Sequence, residues 1–212
     1  MHINACQWGP VRVSPFGYNG AIVTWNIRRP RTKRSTTPGA TSRRRYFRSF
    51  VWGRRREQPM VDVQAVADYI LASVDVGRGD SITNLKLQKL VYYCQAWHLV
   101  ERRGPLFIDA IEAWPHGPVV YAVWKRFSGN QWHAIDTEAN ADLKRIATIP
   151  ADSAEVIDHV LSAYSHLSAV ELEEATHLED PWTITRGGLS ADAPSNLVIT
   201  HGLMQDFYSR QQ

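Results

Sequence analysis

The sequence predicts a mainly α-helical protein: a compact helical domain with a minor β element, preceded by a disordered basic N-terminal segment. Three observations support this prediction. Across residues 60–212, apolar side chains recur at intervals of three and four, the spacing that places them on one face of a helix. One short stretch, 110–114, is typical of a strand. Residues 1–59 show neither period and are rich in Arg, Ser, Thr, Pro and Gly.

Charge divides the chain at the same place. Residues 1–59 hold 13 Lys and Arg against one acid, Glu57, for a net charge of +12. Residues 60–212 hold 11 Lys and Arg against 20 Asp and Glu, for a net charge of −9. The basic segment fits an arm that binds nucleic acid through phosphates, a disordered tail, or an extension upstream of a true start at Met60. We expect the folded domain to occupy residues 60–212.

The composition favours a cytoplasmic protein. Its two cysteines, Cys6 and Cys94, form neither a disulfide framework nor metal-ligand spacing. No apolar run approaches the length of a membrane-spanning helix, and the N-terminus lacks the apolar core of a signal peptide. We therefore expect no membrane association and no cofactor.

Two helices are predicted at the start of the domain. The first covers residues 61–76 and ends in a turn at 77–80. The second, central helix covers residues 83–103. Thr83 serves as its N-cap, and Gly104 ends it, because glycine suits a left-handed exit. We expect its apolar face to hold the domain together, and this face comprises Leu87, Leu90, Val91, Cys94 and Trp97. Lys86, Gln88 and Lys89 are expected on a solvated face, or in contact with an acidic partner.

The middle of the domain is predicted to hold the β element. Residues 110–114 are a strand or extended segment, followed by a helix over 117–127 with Pro118 in its first turn. Ser128-Gly129-Asn130 breaks that helix. Residues 131–149 form a loop with a short strand or turn.

Three helices are expected in the C-terminal part. The first begins at 151, capped by Asp152 or Ser153, and the second opens with a capping box formed by Ser168 and Glu171. The second helix ends within 177–182, where Pro181 disfavours helix before it and starts a new turn. After a loop at 187–188, a last helix covers residues 197–208.

Aromatic residues are numerous between positions 92 and 124. Core packing takes most of them, but Tyr and Trp left on the surface are typical of a protein interface. The residues predicted to contact a partner are Tyr92, Tyr93, Glu112, Trp114, His116 and Tyr121. His116 is expected just before a helix N-terminus, where amides hold anionic groups. In the alternative interpretation, Gly117 and Pro118 serve only to turn the chain and start that helix.

Two clusters raise the question of catalysis. His177 with Glu179 and Asp180 fits acid–base chemistry or a metal site, or instead a helix end with Trp182 packed in the core. Cys94 with His98 one turn away fits a nucleophile, or a small apolar residue in the helix face. A metal or hydrolytic site remains open if His98, His116 and His177 converge. We expect no enzyme, because no second His or Cys stands at ligand spacing and no third group orients Cys94.

Three separated stretches carry a resemblance. They read LKLQKLVYYCQAWHL at 85–99, LF and IEAWPHGPVV at 106–107 and 111–120, and SAVELEEATHLEDPW at 168–182. In this order and spacing they are similar to the Panacea domain, the SocA-like and GepA-like antitoxin domain. The resemblance covers nearly all of 60–212 and leaves residues 1–59 outside it. The motif positions assigned a structural role are Leu87, Leu90, Trp97, Gly117, Pro118, His177, Pro181 and Trp182.

The resemblance implies an antitoxin of a two-gene toxin–antitoxin pair, a family also common in prophages. Such domains typically neutralise a cognate toxin, encoded next door, by direct protein contact. The SocA type instead looks like an adaptor that delivers its toxin to a Clp-type protease. The family commonly has an aromatic residue where this chain has His116, which weakens a general role for the imidazole. The alternative function is a nucleic-acid-binding regulator that uses the Arg-rich arm.

Overall fold

The computed structural model describes residues 60–75 and 80–211. In this part of the chain, nine helices and one two-stranded sheet confirm the predicted fold class. The elements are α1 Val63–Ala72, α2 Asn84–Glu101, β1 Ile111–Trp114, β2 Gly117–Val120, α3 Tyr121–Phe127, α4 Thr137–Asn140, α5 Leu143–Ile146, α6 Ala151–Tyr164, α7 Ala169–His177, α8 Asp180–Arg186 and α9 His201–Ser209, with a 3₁₀ turn at Ser128–Asn130. The predictions for 1–59 and for 76–79 lie outside the described residues.

Helix α2 is the centre of the domain. Thr83 caps it as predicted, since its side chain accepts a hydrogen bond from the Lys86 amide. Around the helix lie α1, α3, α6, α7, α9 and β2. Each apolar side chain buried among them contributes about 1.5–3 kcal/mol before conformational entropy is counted. At the C-terminus it is Arg103, not Gly104, that adopts the left-handed conformation, with φ 56°.

The expectation of a solvated face on α2 is wrong. Gln88 and Lys89 are buried as deeply as the apolar residues, and Lys86 is half-buried. Buried polar groups need hydrogen-bond partners, and the glutamine side chains of α2 have them. Gln88 Oε1 accepts from the Val120 amide at 2.9 Å. Gln95 Oε1 accepts from the Leu106 amide at 2.8 Å.

Residues 117–120 form a strand, not the first turn of a helix. β2 pairs antiparallel with β1, so that Trp114 faces Gly117 and Ala113 faces Pro118. The helical spacing of the apolar residues suggested a helix over 117–127, but consecutive β-branched Val119 and Val120 suit a strand. The helix α3 begins only afterwards, at Tyr121.

Residues 197–199 are likewise extended and not helical. The Ala113 amide donates to the Leu197 carbonyl and the Ile199 amide to the Ile111 carbonyl, both at 2.8 Å. Val198 thus forms an isolated bridge with Glu112 on the free edge of β1. The last helix starts after Thr200, whose side chain accepts from the Leu203 amide.

Among the other predicted helix ends, those of α7 and α8 are confirmed and the predicted cap of α6 is wrong. The capping box of Ser168 and Glu171 is present in both directions, and Pro181 occupies the first turn of α8. Pro150 precedes α6 without a side-chain cap, so neither Asp152 nor Ser153 caps it. Residues 131–149 contain two single-turn helices, α4 and α5, with one bridge between Thr83 and Ala134.

A buried carboxylate joins α2, α8 and α9. Tyr208 donates a hydrogen bond to Glu179 Oε2 at 2.6 Å, Tyr93 to Oε1 at 3.1 Å and Tyr92 to Oε2 at 3.3 Å. The tyrosines come from α2 and α9, and Glu179 precedes α8. Burial raises the pKa of Glu179 from 4.5 to about 7, and the three tyrosine hydroxyls oppose that rise.

Gly117 has a conformation and a neighbourhood that exclude a side chain. Its φ is +90°, and a Cβ there would lie 2.7 Å from Lys89 Nζ and 2.8 Å from Thr176 Oγ1. We expect Gly117→Ala to lower the free energy of unfolding by at least about 1–2 kcal/mol, the cost of left-handed backbone alone. The matched control is Gly129→Ala, where a Cβ meets nothing within 4 Å. Urea unfolding measures both; equal midpoints for the two variants would contradict the geometry.

The carboxyl of Glu179 should make stability depend on pH. Because its pKa is raised in the folded protein, its stabilising contribution is complete below about pH 4.5 and is lost as the pH rises through about 7. The loss amounts to about 3 kcal/mol in the free energy of unfolding. We expect Glu179→Gln to flatten this fall between pH 4.5 and 7, measured by urea unfolding at several pH values. The control Asp180→Asn, an adjacent exposed carboxylate, should keep the wild-type slope.

Candidate functional site

Three of the predicted contact residues gather on the outer side of the hairpin, and a fourth residue joins them. The Trp114 indole donates to Glu112 Oε2 at 2.6 Å. The rings of Trp114 and Trp124 lie 5.1 Å apart, and those of Tyr121 and Trp124 lie 5.8 Å apart. We call Glu112, Trp114, Tyr121 and Trp124 the hairpin face. Tyr121 is 48% exposed and the other three are half-buried, so the rings are accessible yet held by one another.

His116 lies at the tip of the hairpin, not before a helix. The strand β2 follows it, so the expected helix amides are absent and the anion-site interpretation is wrong. Its side chain is 80% exposed, and its Nδ1 lies 2.9 Å from a carboxylate oxygen of Glu173 on α7. This contact ties the tip of the hairpin to α7.

Tyr92 and Tyr93 cannot belong to a contact surface in this fold. Neither has exposed surface, and both donate to the buried Glu179. Tyr93 stacks on Tyr164 with ring centroids 4.1 Å apart. Two consecutive aromatics on a helix point in different directions, but α2 is surrounded, so both directions lead inward.

Lys89 holds the hairpin from below. Its Nζ donates to the His116 carbonyl and, at 3.3 Å, to the Pro118 carbonyl. The residue has no exposed surface, and burial lowers its pKa to about 7 against the opposing charge of Glu173. A side chain from the central helix therefore holds two carbonyls, that of His116 in the turn and that of Pro118 in β2.

His177 and Trp182 support the hairpin from α7 and α8. Their rings stack at 4.1 Å, and the Trp182 indole donates to the Trp114 carbonyl at 2.9 Å. Burial lowers the pKa of His177, which also hydrogen bonds to the Pro115 carbonyl. Its Nε2 is buried without a hydrogen-bond partner in the described part of the chain.

The carboxylates next to His177 in sequence point elsewhere. Glu179 receives the three tyrosine hydroxyls, and Asp180 pairs with Arg210 at 3.0 Å. The cluster suggested by the sequence is thus divided among separate partners. No group of three His, Cys, Asp or Glu side chains suited to a metal occurs in residues 60–75 and 80–211.

Cys94 and His98 are also engaged in packing. Cys94 is fully buried, and burial raises the pKa of its thiol. His98 contacts the Gly104 carbonyl at 2.8 Å and Ser153 Oγ at 3.2 Å. It lies nine residues after Lys89, about 13 Å along the helix axis, so it is remote from the hairpin tip with His116.

Sequence reasoning missed two residues that build the site. Trp124 is not among the predicted contact residues. Its position three residues after Tyr121 on a helix nevertheless indicates that the two side chains are neighbours. Lys89 was expected in solvent, because nothing in its own stretch indicates that a hairpin will cover it. The supporting Glu173 had no signal in sequence.

The described helices include none long and apolar enough to cross a membrane. No solved structure matches the chain. The profile of the family described as "Antitoxin SocA-like, Panacea domain" matches residues 87–183, which contain most of α2, the hairpin and α7. Antitoxin SocA from Caulobacter vibrioides (strain NA1000 / CB15N) is 31% identical over 163 residues, covering 72% of this chain and 85% of that protein. On this similarity, the chain belongs to the SocA-like antitoxin family with the Panacea domain.

Proposed function

We propose that this chain is the antitoxin of a toxin–antitoxin pair in the cytoplasm, and that it neutralises its cognate toxin by direct contact through the hairpin face. Membership of the SocA-like family supports the antitoxin role. The observation that supports the contact is the accessible aromatic cluster of Trp114, Tyr121 and Trp124 on a short hairpin.

The aromatic cluster has the properties of a binding hot spot. Tyr and Trp bury much surface with few rotatable bonds, and they dominate the energetics of protein interfaces. Here the rings are already ordered by mutual contact and by the Glu112 carboxylate. A partner that covers them loses little conformational freedom on this side of the interface.

The hairpin that carries the aromatic cluster is held in place by several contacts. Lys89 binds two carbonyls of β2 and its turn, Trp182 binds the Trp114 carbonyl, and Val198 bridges to Glu112 on the other edge. Three separate elements therefore hold the same hairpin. A preorganised surface of this kind supports binding, and the histidines and carboxylates nearby are used to hold it.

The first test is a growth assay. The adjacent reading frame is induced alone, together with residues 60–212, and together with the full chain. We expect toxicity from the neighbour and rescue by both forms, because the described core and the hairpin face lie within 60–212. Rescue by the full chain alone would give residues 1–59 a role, including the nucleic-acid binding considered above. No rescue by either form would contradict the proposed pairing.

The second test addresses the surface. We expect Tyr121→Ala to weaken toxin binding at least about tenfold and to reduce rescue, since truncation of a hot-spot aromatic costs about 2 kcal/mol or more and about 1.4 kcal/mol is tenfold. The matched control is Trp132→Ala, an 84% exposed aromatic outside the hairpin face that should bind as the wild type does. Calorimetry with purified toxin measures both, after circular dichroism has shown that each variant is folded.

Two further outcomes separate the mechanisms. If both variants bind equally well, contact through the hairpin face is contradicted. If the toxin is bound but its half-life in cells shortens only when a Clp-type protease is present, delivery to the protease replaces simple occlusion as the mechanism. Immunoblots of the toxin after translation is blocked distinguish the two.

A further inference from the structure

We infer that the hairpin face receives a cationic side chain, an arginine or a lysine, from the partner protein. This inference rests on the proposed function and adds the chemistry of the partner to it. It stands on three independent observations: a carboxylate and a group of aromatic rings that no cation of residues 60–75 and 80–211 contacts, and the charge of the domain.

Among residues 60–75 and 80–211, the Glu112 carboxylate has a neutral hydrogen-bond donor and no cation as a partner. Its Oε2 accepts from the Trp114 indole at 2.6 Å. None of the ion pairs formed among residues 60–75 and 80–211 involves Glu112. A half-buried carboxylate gains most from a partner of opposite charge, because partial burial weakens screening by solvent.

The rings beside this carboxylate likewise have no cation over them from the residues that the structure describes. Elsewhere in the fold arginines lie over aromatic rings: Arg126 over Phe127 at 4.6 Å and Arg186 over Trp182 at 5.1 Å. Within the described part of the chain, the rings of Trp114, Tyr121 and Trp124 take part in no such contact. Aromatic faces next to a carboxylate suit a guanidinium, which stacks on the ring while its N–H groups bind the carboxylate.

The charge of the domain favours the same partner. Residues 60–212 carry a net charge of −9, which attracts a basic protein and repels an acidic one. Lys125 is exposed one helical turn after Tyr121 and opposes this attraction locally. Its removal should therefore act in the direction opposite to removal of Glu112.

The test compares charge-only variants of the full chain by calorimetry with the purified toxin. Glu112→Gln keeps an oxygen for the Trp114 indole but removes the charge. We expect it to weaken binding about tenfold at low salt and to reduce the loss of affinity between about 50 and 300 mM NaCl. Glu138→Gln, an exposed carboxylate on α4, is the matched control and should leave affinity unchanged. Lys125→Gln should strengthen binding.

The outcomes distinguish this inference from the proposed function. If Tyr121→Ala weakens binding while Glu112→Gln does not, the face contacts the toxin but takes no cation, and the inference is overturned. If neither variant weakens binding, the contact surface itself is overturned. If Glu112→Gln strengthens binding, the cation comes from the chain's own basic residues 1–59 competing with the toxin, which also overturns it.

A second readout identifies the partner's cation directly. Glu112→Arg should abolish rescue by like-charge repulsion, and toxin variants selected to restore binding should replace an arginine or lysine by an acidic or neutral residue. Restoring substitutions that leave every basic residue of the toxin intact would overturn the inference.

Discussion

The structure depends on the burial of the central helix α2, in which every residue from Leu87 to Leu99 is buried. A helix surrounded by other elements has no solvated side, so every polar side chain on it needs a partner inside the protein. Gln95 binds the chain at Leu106 and Phe107, Gln88 binds the amide of Val120, and Lys89 binds the hairpin tip. These polar residues connect the helix to the segments that follow it. The burial of α2 and the position of the hairpin therefore depend on the same contacts.

The sequence located the helices α1, α2, α6 and α7, but neither the hairpin nor the starts of α3 and α9. Local signals such as the Thr83 cap and the Ser168–Glu171 box act within four residues and were read correctly. Residues 117–120 and 197–199 are extended because they pair with β1, and the periodicity within a segment does not report its pairing with another segment. The apolar spacing of those stretches fits a helix equally well, and only pairing decides between the two.

The residues of the candidate site were likewise only partly predictable from the sequence. Tyr121 is exposed and Trp114 is half-buried beside Glu112, whereas Tyr92 and Tyr93 are buried with a carboxylate as their partner. Sequence alone does not separate an aromatic in the core from one at an interface, because both types of position favour the same residues. The neighbouring elements decide whether an aromatic side chain is buried, and six other elements surround α2.

The two sides of strand β1 have different environments. Ile111 and Ala113 face the core, while Glu112 and Trp114 alternate with them on the outer side. The side chains that would meet a toxin in the proposed contact are therefore not those that fill the interior, although the two sets are neighbours in the chain. On that proposal, outer positions of this strand can be replaced at little expense to the stability of the helical core beneath it.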